Sequence, residues 1–191
     1  MSILTQYIFL IGSGGLFSFS SEINPVMYNW NKVYVGYCDG SSFSSRRPDS
    51  VPVVIGGKTI PGASLHFKGN YILEAIYDML LVQNNMNTAS EVVISGSSAG
   101  GLSVILHIDA LRHKIHTRSK TKPFITGVID GGYFLDVPSI HGENRMHELY
   151  QNMYLNQNLT LNPFCIDNYL EAKPAGQGII IFLHFNILNN L

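Results

Sequence analysis

The sequence predicts an α/β fold, in which a mostly parallel β-sheet carries helices on both faces. Short apolar segments rich in β-branched residues alternate with longer segments whose apolar residues recur at helical spacing. Apolar residues make up 46% of the 191 residues and charged residues only 13%, about half the usual share of about 25%. Strands that alternate with helices form parallel sheets, whose functional loops lie at the carboxyl ends of the strands. We therefore expect one domain over residues 1–191, with a substantial apolar core.

The first elements are expected to be β-strands joined by polar turns. Residues 32–37 have the sequence KVYVGY, whose Val and Tyr content predicts a strand. The Cys38-Asp39-Gly40 segment that follows is a turn signal, and a polar loop continues from it. Two further short segments, 53–55 and 58–60, are joined by Gly56-Gly57 and predict a small hairpin.

The first helix is predicted for residues 70–83. Its apolar residues recur at intervals of three and four, the spacing that places side chains on one face of an α-helix. The residues that we expect on this face are Ile72, Leu73, Ile76, Met79 and Leu80. A polar loop over residues 84–90 separates this helix from the next strand.

Residues 91–106, EVVISGSSAGGLSVIL, contain the pattern that points most directly to chemistry. The β-branched run Val92-Val93-Ile94 predicts a buried strand, and Gly96-Ser97-Ser98-Ala99-Gly100 then matches G-x-S-x-G. A helix-compatible segment follows and extends to about residue 115. A strand, a tight turn flanked by glycines and a helix are the context of a nucleophile elbow, in which a serine projects from the end of a central strand.

This pattern assigns roles to individual residues. Ser98 is the expected nucleophile, because the bend would lift its hydroxyl clear of the sheet edge. The backbone N–H of Ala99, at the start of the helix, would bind the oxyanion. Gly96 and Gly100 lack a Cβ, so strand and helix could approach closely on both sides. The alternative is an ordinary turn rich in glycine and serine, which matches the same pattern without any chemistry.

The second half of the chain continues the alternation of strands and helices. Residues 124–129 predict a further buried strand, which ends in Asp130-Gly131-Gly132. A helix is predicted over residues 144–154. Asn158-Leu159-Thr160 is a glycosylation sequon, which matters only if the chain is secreted.

Composition excludes several classes of function. The formal net charge of −1 provides no electrostatic footprint for nucleic acid, and no apolar run is long enough for a membrane-spanning helix. Residues 3–11 are apolar, but no basic residue precedes them and no cleavage site follows, so we expect no signal peptide there. Cys38 and Cys165 lack metal-ligand spacing; they could form one disulfide, pair with cysteines outside this sequence or stay reduced.

Four sequence blocks, taken together, resemble one known family. In chain order they are NWNKV at 29–33 with YCDGSSF at 37–43, FKG at 67–69, SGSSAGGL at 95–102, and DGGYFLD at 130–136. In this order and spacing the blocks are similar to the pectin acetylesterase family, which also includes the Notum-type carboxylesterases. The resemblance covers roughly residues 14–178.

The resemblance implies an α/β-hydrolase-like fold and a serine esterase with a Ser-His-Asp triad, whose nucleophile would be Ser98. It also implies a secreted or cell-wall enzyme that removes O-acetyl groups from pectin, an acetylated polysaccharide. No metal or organic cofactor, nucleic acid or membrane span is expected. A Notum-like lipid deacylase is the alternative within the same fold, and it would need a deep apolar acyl pocket.

The sequence also departs from the family pattern. Residues 1–15 do not reproduce the family's Gly-Gly-Gly-Trp-Cys-like oxyanion motif. The family's triad Asp and His lie well downstream of the block at 130–136, and neither is present in recognisable form. A segment rich in proline and glycine, 173–178, ends the resemblance, and residues 179–191 form a divergent apolar tail. We therefore expect a partial domain that by itself is weak or inactive, with a non-catalytic binding module or fragment as the alternative.

Acidic, glycine and histidine residues near the predicted loops are the remaining candidates. Asp39, Gly40, Asp130 and Gly131 could line a substrate pocket, or they could serve only as turn and helix-capping residues. In α/β hydrolases the acid and the base follow the nucleophile along the chain. The later histidines expected to be packed or solvated are His107, His113, His116, His141 and His147. His184 satisfies the chain order, but its surroundings do not match the family's histidine.

Overall fold

The structure is a computed structural model that describes residues 14–161. Contacts between Cα atoms group the chain into two compact units, which divide between Gly36 and Tyr37. The expectation of a single domain over residues 1–191 stays a prediction. Five further expectations lie outside the described residues, namely those for 3–11, Cys165, 173–178, His184 and 179–191.

One buried asparagine organises the described part of the first unit. Asn24 is 4% exposed, and its amide nitrogen donates to the carbonyls of Leu16 (2.8 Å) and Ser18 (3.1 Å). Its side-chain oxygen accepts from the N–H of Met27 (3.1 Å). The loop contains a short 3-10 helix, Gly15–Phe17. A side-chain amide that bonds to three backbone groups can hold such a loop in one conformation.

The strand predicted for residues 32–37 is absent from the structure. Residues 31–38 adopt no regular secondary structure, and they join no β-ladder within residues 14–161. The side chains of Val33 and Tyr34 are 52% and 45% exposed. The prediction was wrong because Val and Tyr content measures how well side chains fit a pleated surface, and does not supply a partner strand.

The predicted hairpin is present and is longer than expected. Strand β1, Val51–Ile55, pairs antiparallel with strand β2, Lys58–Leu65. Gly56 and Gly57 form the turn at φ +57° and +78°, the left-handed conformation that two-residue hairpin turns favour. Most side chains of both strands are exposed.

Helix α1, Gly69–Val82, confirms the first predicted helix to within one residue at each end. Its buried apolar side chains are spaced by four residues and are Leu73, Tyr77 and Leu81. Ile72 and Met79, which were predicted to face the core, are 46% and 43% exposed. This detail was wrong because the apolar arc of α1 is wider than the surface that packs against it.

A β–α–β unit forms the centre of the described fold. Strand β3, Glu91–Ser97, and strand β4, Phe124–Asp130, are parallel and pair in register along their whole lengths. Helix α2, Ala99–Arg118, connects them as the crossover. Ser97 lies opposite Asp130 in the register, so the carboxyl ends of the two strands lie side by side. The parallel pairing predicted from the alternation of elements is therefore present.

Helix α2 packs directly against both strands, and a glycine permits the close approach. A Cβ built on Gly127 of β4 would lie 2.5 Å from Cδ1 of Ile108 and 3.2 Å from Cγ1 of Val104. Helix α2 is also tied to α1, because Lys114 forms an ion pair with Asp78 at 2.9 Å. These contacts hold the helix that begins at the predicted nucleophile against the sheet.

Helix α3, Arg145–Gln157, confirms the last predicted helix and ends three residues later than expected. It contributes to an apolar cluster, whose buried members are Leu102, Leu106, Tyr150 and Leu161. Leu159 packs against this cluster and forms an isolated antiparallel bridge with Ser45. In the part of the chain that the structure describes, no helix is long and apolar enough to cross a membrane.

Candidate active site

Ser98 lies at a sharp bend between β3 and α2. Its φ of +53° and ψ of −120° form a conformation that L residues rarely adopt and that costs of order 1–3 kcal/mol. The Ser98 N–H donates to the carbonyl of Asp130 (2.8 Å), and its carbonyl accepts from the N–H of Leu102 (3.0 Å). Ser98 itself is exposed. The strand, bend and helix predicted from the G-x-S-x-G pattern are therefore present, with the serine accessible.

Close backbone approach explains some of the glycines at the bend. A Cβ on Gly96 would overlap the carbonyl group of Gly100 and lie 2.8 Å from the backbone nitrogen of Gly101. Gly100 was predicted to be needed for the same reason, but nothing lies within 4 Å of its own Cβ position. That prediction was wrong because Gly100 contacts β3 through its backbone while its Cβ position faces open space.

The turn that follows β4 lies against the bend. A Cβ on Gly132 would be 2.5 Å from the carbonyl carbon of Gly101 and 2.7 Å from the nitrogen of Leu102. Gly131 has φ +54°, and Asp130 and Gly131 are both exposed. The structure thus brings these two candidates to the same sheet edge as the bend, while their role in lining a substrate pocket stays a prediction.

The N-terminus of α2 begins directly after Ser98. Ala99 is the first residue of this helix, and the first N–H groups of a helix have no partner within it. The helix dipole adds partial positive charge at the same place. An N–H group here can stabilise negative charge that develops on an oxygen bound beside Ser98. The geometry is compatible with the oxyanion role expected of Ala99, which stays a prediction.

Asp39 is a bracing carboxylate at the start of α1. Its Oδ2 accepts hydrogen bonds from the N–H of Gly69 (2.6 Å) and from the hydroxyls of Ser41 (2.6 Å) and Ser45 (2.7 Å). A Cβ on Gly69 would lie 2.8 Å from the Asp39 Cγ, which explains the glycine of the FKG block. These contacts show that Asp39 holds the turn and the start of α1. Its role in lining a substrate pocket stays a prediction, as does that of Gly40, which lies beside it at φ +70°.

An open depression of about 500 Å³ lies beside the same carboxylate. Asp39 borders it together with Cys38, His66 and Lys68, and no residue of the bend at Ser98 lines it. Cys38 is exposed and forms no disulfide with any residue of the described range. Asp39 therefore does line a concave surface, but a different one from the sheet edge that carries Ser98.

Residues 41–45 form a buried, serine-rich turn against α2. The side chains that are at most 3% exposed belong to Ser41, Ser42, Ser44 and Ser45. His107 of α2 is 4% exposed, and its Nε2 donates to the carbonyl of Ser42 (3.3 Å). Burial lowers the pKa of His107 to about 4, so the ring is neutral at pH 7. His107 is a packed residue, as the sequence predicts.

We expected the other histidines to be packed or solvated. Those that the structure describes do not act as a base for Ser98. His113 and His141 are exposed, and His116 bonds through Nε2 to the carbonyl of Pro123 (2.9 Å). Within residues 14–161 no histidine forms a hydrogen bond with Ser98. The same residues contain no group of three or more His, Cys, Asp and Glu that could hold a metal ion.

His147 forms a pair with Asp136 that sequence reasoning missed. The distance between His147 Nδ1 and Asp136 Oδ2 is 2.8 Å, and the side chains are 39% and 11% exposed. The charge of Asp136 also acts on Tyr150 of α3. Burial, and to a smaller extent this charge, raises the pKa of the Tyr150 hydroxyl to about 12. The His147 side chain is still partly open to solvent, as expected. The pair was missed because its partner lies 11 residues away across a loop, a spacing that carries no recognisable sequence signal.

A comparison with protein-family models identifies the family of this chain. The model described as Pectinacetylesterase matches residues 6–172 of the 191 residues. The chain belongs to the pectinacetylesterase family. The resemblance inferred from the four sequence blocks is thereby confirmed, and relatives in the family carry the names of carboxylic-ester hydrolases.

Relatives and a solved structure extend this result. Pectin acetylesterase 5 from Arabidopsis thaliana is 38% identical over 139 residues, which are 73% of this chain and 30% of the relative. The palmitoleoyl-protein carboxylesterase NOTUM from Schmidtea mediterranea is 33% identical over 134 residues, 70% of this chain and 23% of the relative. A structure of the Wnt deacylase Notum from Drosophila matches with TM-score 0.66 and 29% identity, over 82% of this chain and 44% of that one.

The structural match confirms the α/β-hydrolase-like fold predicted for this pectinacetylesterase-family chain. The chain spans between 23% and 44% of the lengths of these three proteins. The described residues include the β3–α2–β4 unit, with the bend at Ser98 between β3 and α2.

Proposed function

We propose that this chain supplies the nucleophile of a carboxylesterase that removes O-acetyl groups from pectin in the cell wall. The observation that supports it most directly is Ser98, an exposed serine at φ +53° between a parallel strand and the N-terminus of a helix. The match of residues 6–172 to the pectinacetylesterase model supports the substrate class. Secretion to the cell wall follows from where such a substrate is found.

The proposed reaction is acyl transfer to Ser98. Its Oγ attacks the carbonyl carbon of the acetyl group, the Oγ–C bond forms, and the carbonyl electrons move onto oxygen. The N–H of Ala99 binds this oxyanion. When the carbonyl re-forms, the bond to the sugar oxygen breaks and the sugar hydroxyl leaves with a proton. Water then hydrolyses the acetyl-enzyme and releases acetate, so the reaction needs no metal or organic cofactor.

A general base must accept the proton of the Ser98 hydroxyl, and an acid must orient that base. None of the described histidines forms a hydrogen bond with Ser98. The proposal therefore takes the base from outside residues 14–161. We expect slow turnover by the 191-residue chain assayed alone, because a serine without its base loses orders of magnitude in rate.

Acetylation of Ser98 tests the nucleophile assignment. The chain is incubated with 4-nitrophenyl acetate and quenched in acid, and the acetyl group is located by peptide mass spectrometry. We expect the acetyl group on Ser98, none in Ser98→Ala, and no change in Ser97→Ala, because Ser97 is the neighbouring exposed serine of β3. Equal release of 4-nitrophenol by the wild type and Ser98→Ala would favour a non-catalytic fragment or binding module.

A Notum-like lipid deacylase is the second candidate. It is supported by the structural match to the Wnt deacylase Notum, with TM-score 0.66. The two candidates differ in the acyl group, since a fatty acyl chain needs a deep apolar pocket and an acetyl group does not. The whole protein is therefore assayed with 4-nitrophenyl acetate and 4-nitrophenyl octanoate. A higher kcat/KM for the acetate supports pectin deacetylation, and a higher value for the octanoate supports lipid deacylation.

A further inference from the structure

Asn158-Leu159-Thr160 is a sequence motif that the esterase proposal does not use. It matches N-x-[ST] with x other than Pro, the acceptor pattern for N-glycosylation. It is the only such match among the 191 residues. A single candidate site makes any attached glycan assignable to one residue.

Asn158 lies at the C-terminal end of α3 and is open to solvent. Its φ of +51° and ψ of +63° are the left-handed conformation in which many helices end. The residue is exposed, and its side-chain nitrogen donates a long hydrogen bond of 3.4 Å to the carbonyl of Arg46. A glycan replaces one of the two amide hydrogens, so the other remains for the carbonyl of Arg46.

Backbone contacts and Leu159 hold this segment in place. Leu159 packs against the apolar cluster of Leu102, Leu106, Tyr150 and Leu161, and it forms the antiparallel bridge with Ser45. The N–H of Thr160 donates to the carbonyl of Ser44 (2.6 Å). None of these contacts uses the side-chain nitrogen of Asn158, so a glycan on that atom leaves the fold intact.

We propose that Asn158 carries an N-linked oligosaccharide. This proposal rests on the proposed function in one respect, because it requires export through the secretory compartment. The donor is a lipid-linked pyrophosphoryl oligosaccharide. A bond forms between Asn158 Nδ2 and C1 of the first sugar, and the bond from C1 to the pyrophosphate oxygen breaks. The pyrophosphate leaves with the electron pair, and Nδ2 loses a proton to a base of the transferase. The glycan is bulky and hydrophilic, and it covers the exposed end of α3.

The folded structure also sets when the transfer takes place. Residues 158–160 are docked against residues 44–46 by the bridge and the hydrogen bonds of the backbone. A transferase needs the acceptor segment extended in its own active site, and a docked segment is not available to it. Transfer to Asn158 therefore precedes the docking of this segment during folding.

Secretion from a eukaryotic cell tests the proposal. The full chain is expressed behind a cleavable leader, and the secreted and lumenal pools are treated with peptide-N-glycosidase. We expect one shift in electrophoretic mobility that collapses on treatment, with Asn158 converted to Asp in the peptide mass spectrum. Lumenal protein that carries no glycan at Asn158 would overturn the proposal.

Matched variants separate the sequon from the rest of the surface. Asn158→Gln and Thr160→Ala should both lose the shift, while Thr160→Ser retains the acceptor pattern and should keep it. Asn156→Gln, at an exposed asparagine outside the sequon, should keep it as well. Ser98→Ala should remain fully glycosylated. A chain that acetylates Ser98 but carries no glycan would therefore contradict this inference and leave the esterase proposal standing.

Discussion

Ser98 combines an unfavourable backbone conformation with exposure to solvent. A residue other than glycine at φ +53° and ψ −120° persists only where the surrounding structure over-determines it. Here the carbonyl of Asp130 and the N–H of Leu102 hold the serine from both sides. A glycine at this position would relieve the strain. The presence of an exposed, polar serine instead favours a chemical role for Ser98.

His107 contributes to how the stability of the chain depends on pH. Burial lowers its pKa to about 4 in the folded chain, against an ordinary value of 6.5. Below pH 6.5 the unfolded chain binds a proton that the folded chain does not, so stability that is present at neutral pH is lost as pH falls towards about 4. We expect a loss of about 3 kcal/mol at most in the free energy of unfolding, measured by urea denaturation across this range.

Two variants control this prediction. His107→Gln keeps a side-chain N–H donor without a titrating ring and should flatten the pH dependence in that window. His113→Gln, at an exposed residue of the same helix, should leave the dependence as in the wild type. The same slope in all three proteins would show that His107 does not carry the effect.

At the scale of elements, the position of α2 depends on contacts between glycines. The backbone of Gly132 approaches Gly101 so closely that a Cβ on either residue would lie within 2.8 Å of the other's backbone. This contact holds the turn after β4 against the first turn of α2. The carbonyl of Asp130, the last residue of β4, accepts from the N–H of Ser98. The geometry at Ser98 is therefore set by how two elements pack.

Gly132→Ala should disturb this packing. We expect this substitution to destabilise the fold by about 1–3 kcal/mol and to slow acetylation of Ser98. The reason is that the added Cβ would overlap backbone atoms of Gly101 and Leu102, which cannot shift without disturbing α2. Gly100→Ala is the matched control, since Gly100 precedes Gly101 in the first turn of α2 and has open space at its Cβ position. It should be neutral or stabilising by up to about 1 kcal/mol. Denaturant unfolding measures both, and equal stabilities would contradict the packing account.

At the scale of the whole second unit, residues 39–47 join three helices. The carboxylate of Asp39 binds the N-terminus of α1 through the N–H of Gly69, and the carbonyl of Ser42 accepts from His107 of α2. The guanidinium of Arg47 donates to the carbonyl of Asn156 in α3. A polar segment in the sequence thus acts as a connector: residues 41–45 are buried, and hydrogen bonds of residues 39–47 reach distant parts of the chain.

Removing Asp39 should weaken this connector. Asp39→Ala leaves the N–H of Gly69 and the hydroxyls of Ser41 and Ser45 without their acceptor, and we expect a loss of about 1–3 kcal/mol in the free energy of unfolding. Asp49→Ala, at an exposed acid of the following loop, should change it by no more than about 0.5 kcal/mol. Thermal and urea unfolding compare the two variants. Similar small effects would mean that Asp39 does not brace the turn.

The expectations that the structure supports are those that depend on neighbouring residues. The helical spacing of apolar residues predicted α1, and short apolar runs predicted β3 and β4; a short window of sequence already contains both patterns. The turn at Gly56-Gly57 and the bend at Ser98 follow from residues that favour positive φ or close approach. Family membership was also readable from the sequence, because four separate blocks kept their order and spacing.

The sequence by itself determined the local conformation of the chain and the residues that identify its family, because both are written in short segments. Only the tertiary structure decided that residues 32–37 have no partner strand within residues 14–161, that Asp39 braces α1 and that His147 meets Asp136. It also decided that the contact of α2 with the turn after β4 depends on Gly101 instead of Gly100. Each of these outcomes depends on which groups from distant parts of the chain come within a few ångströms, and no local pattern encodes that distance.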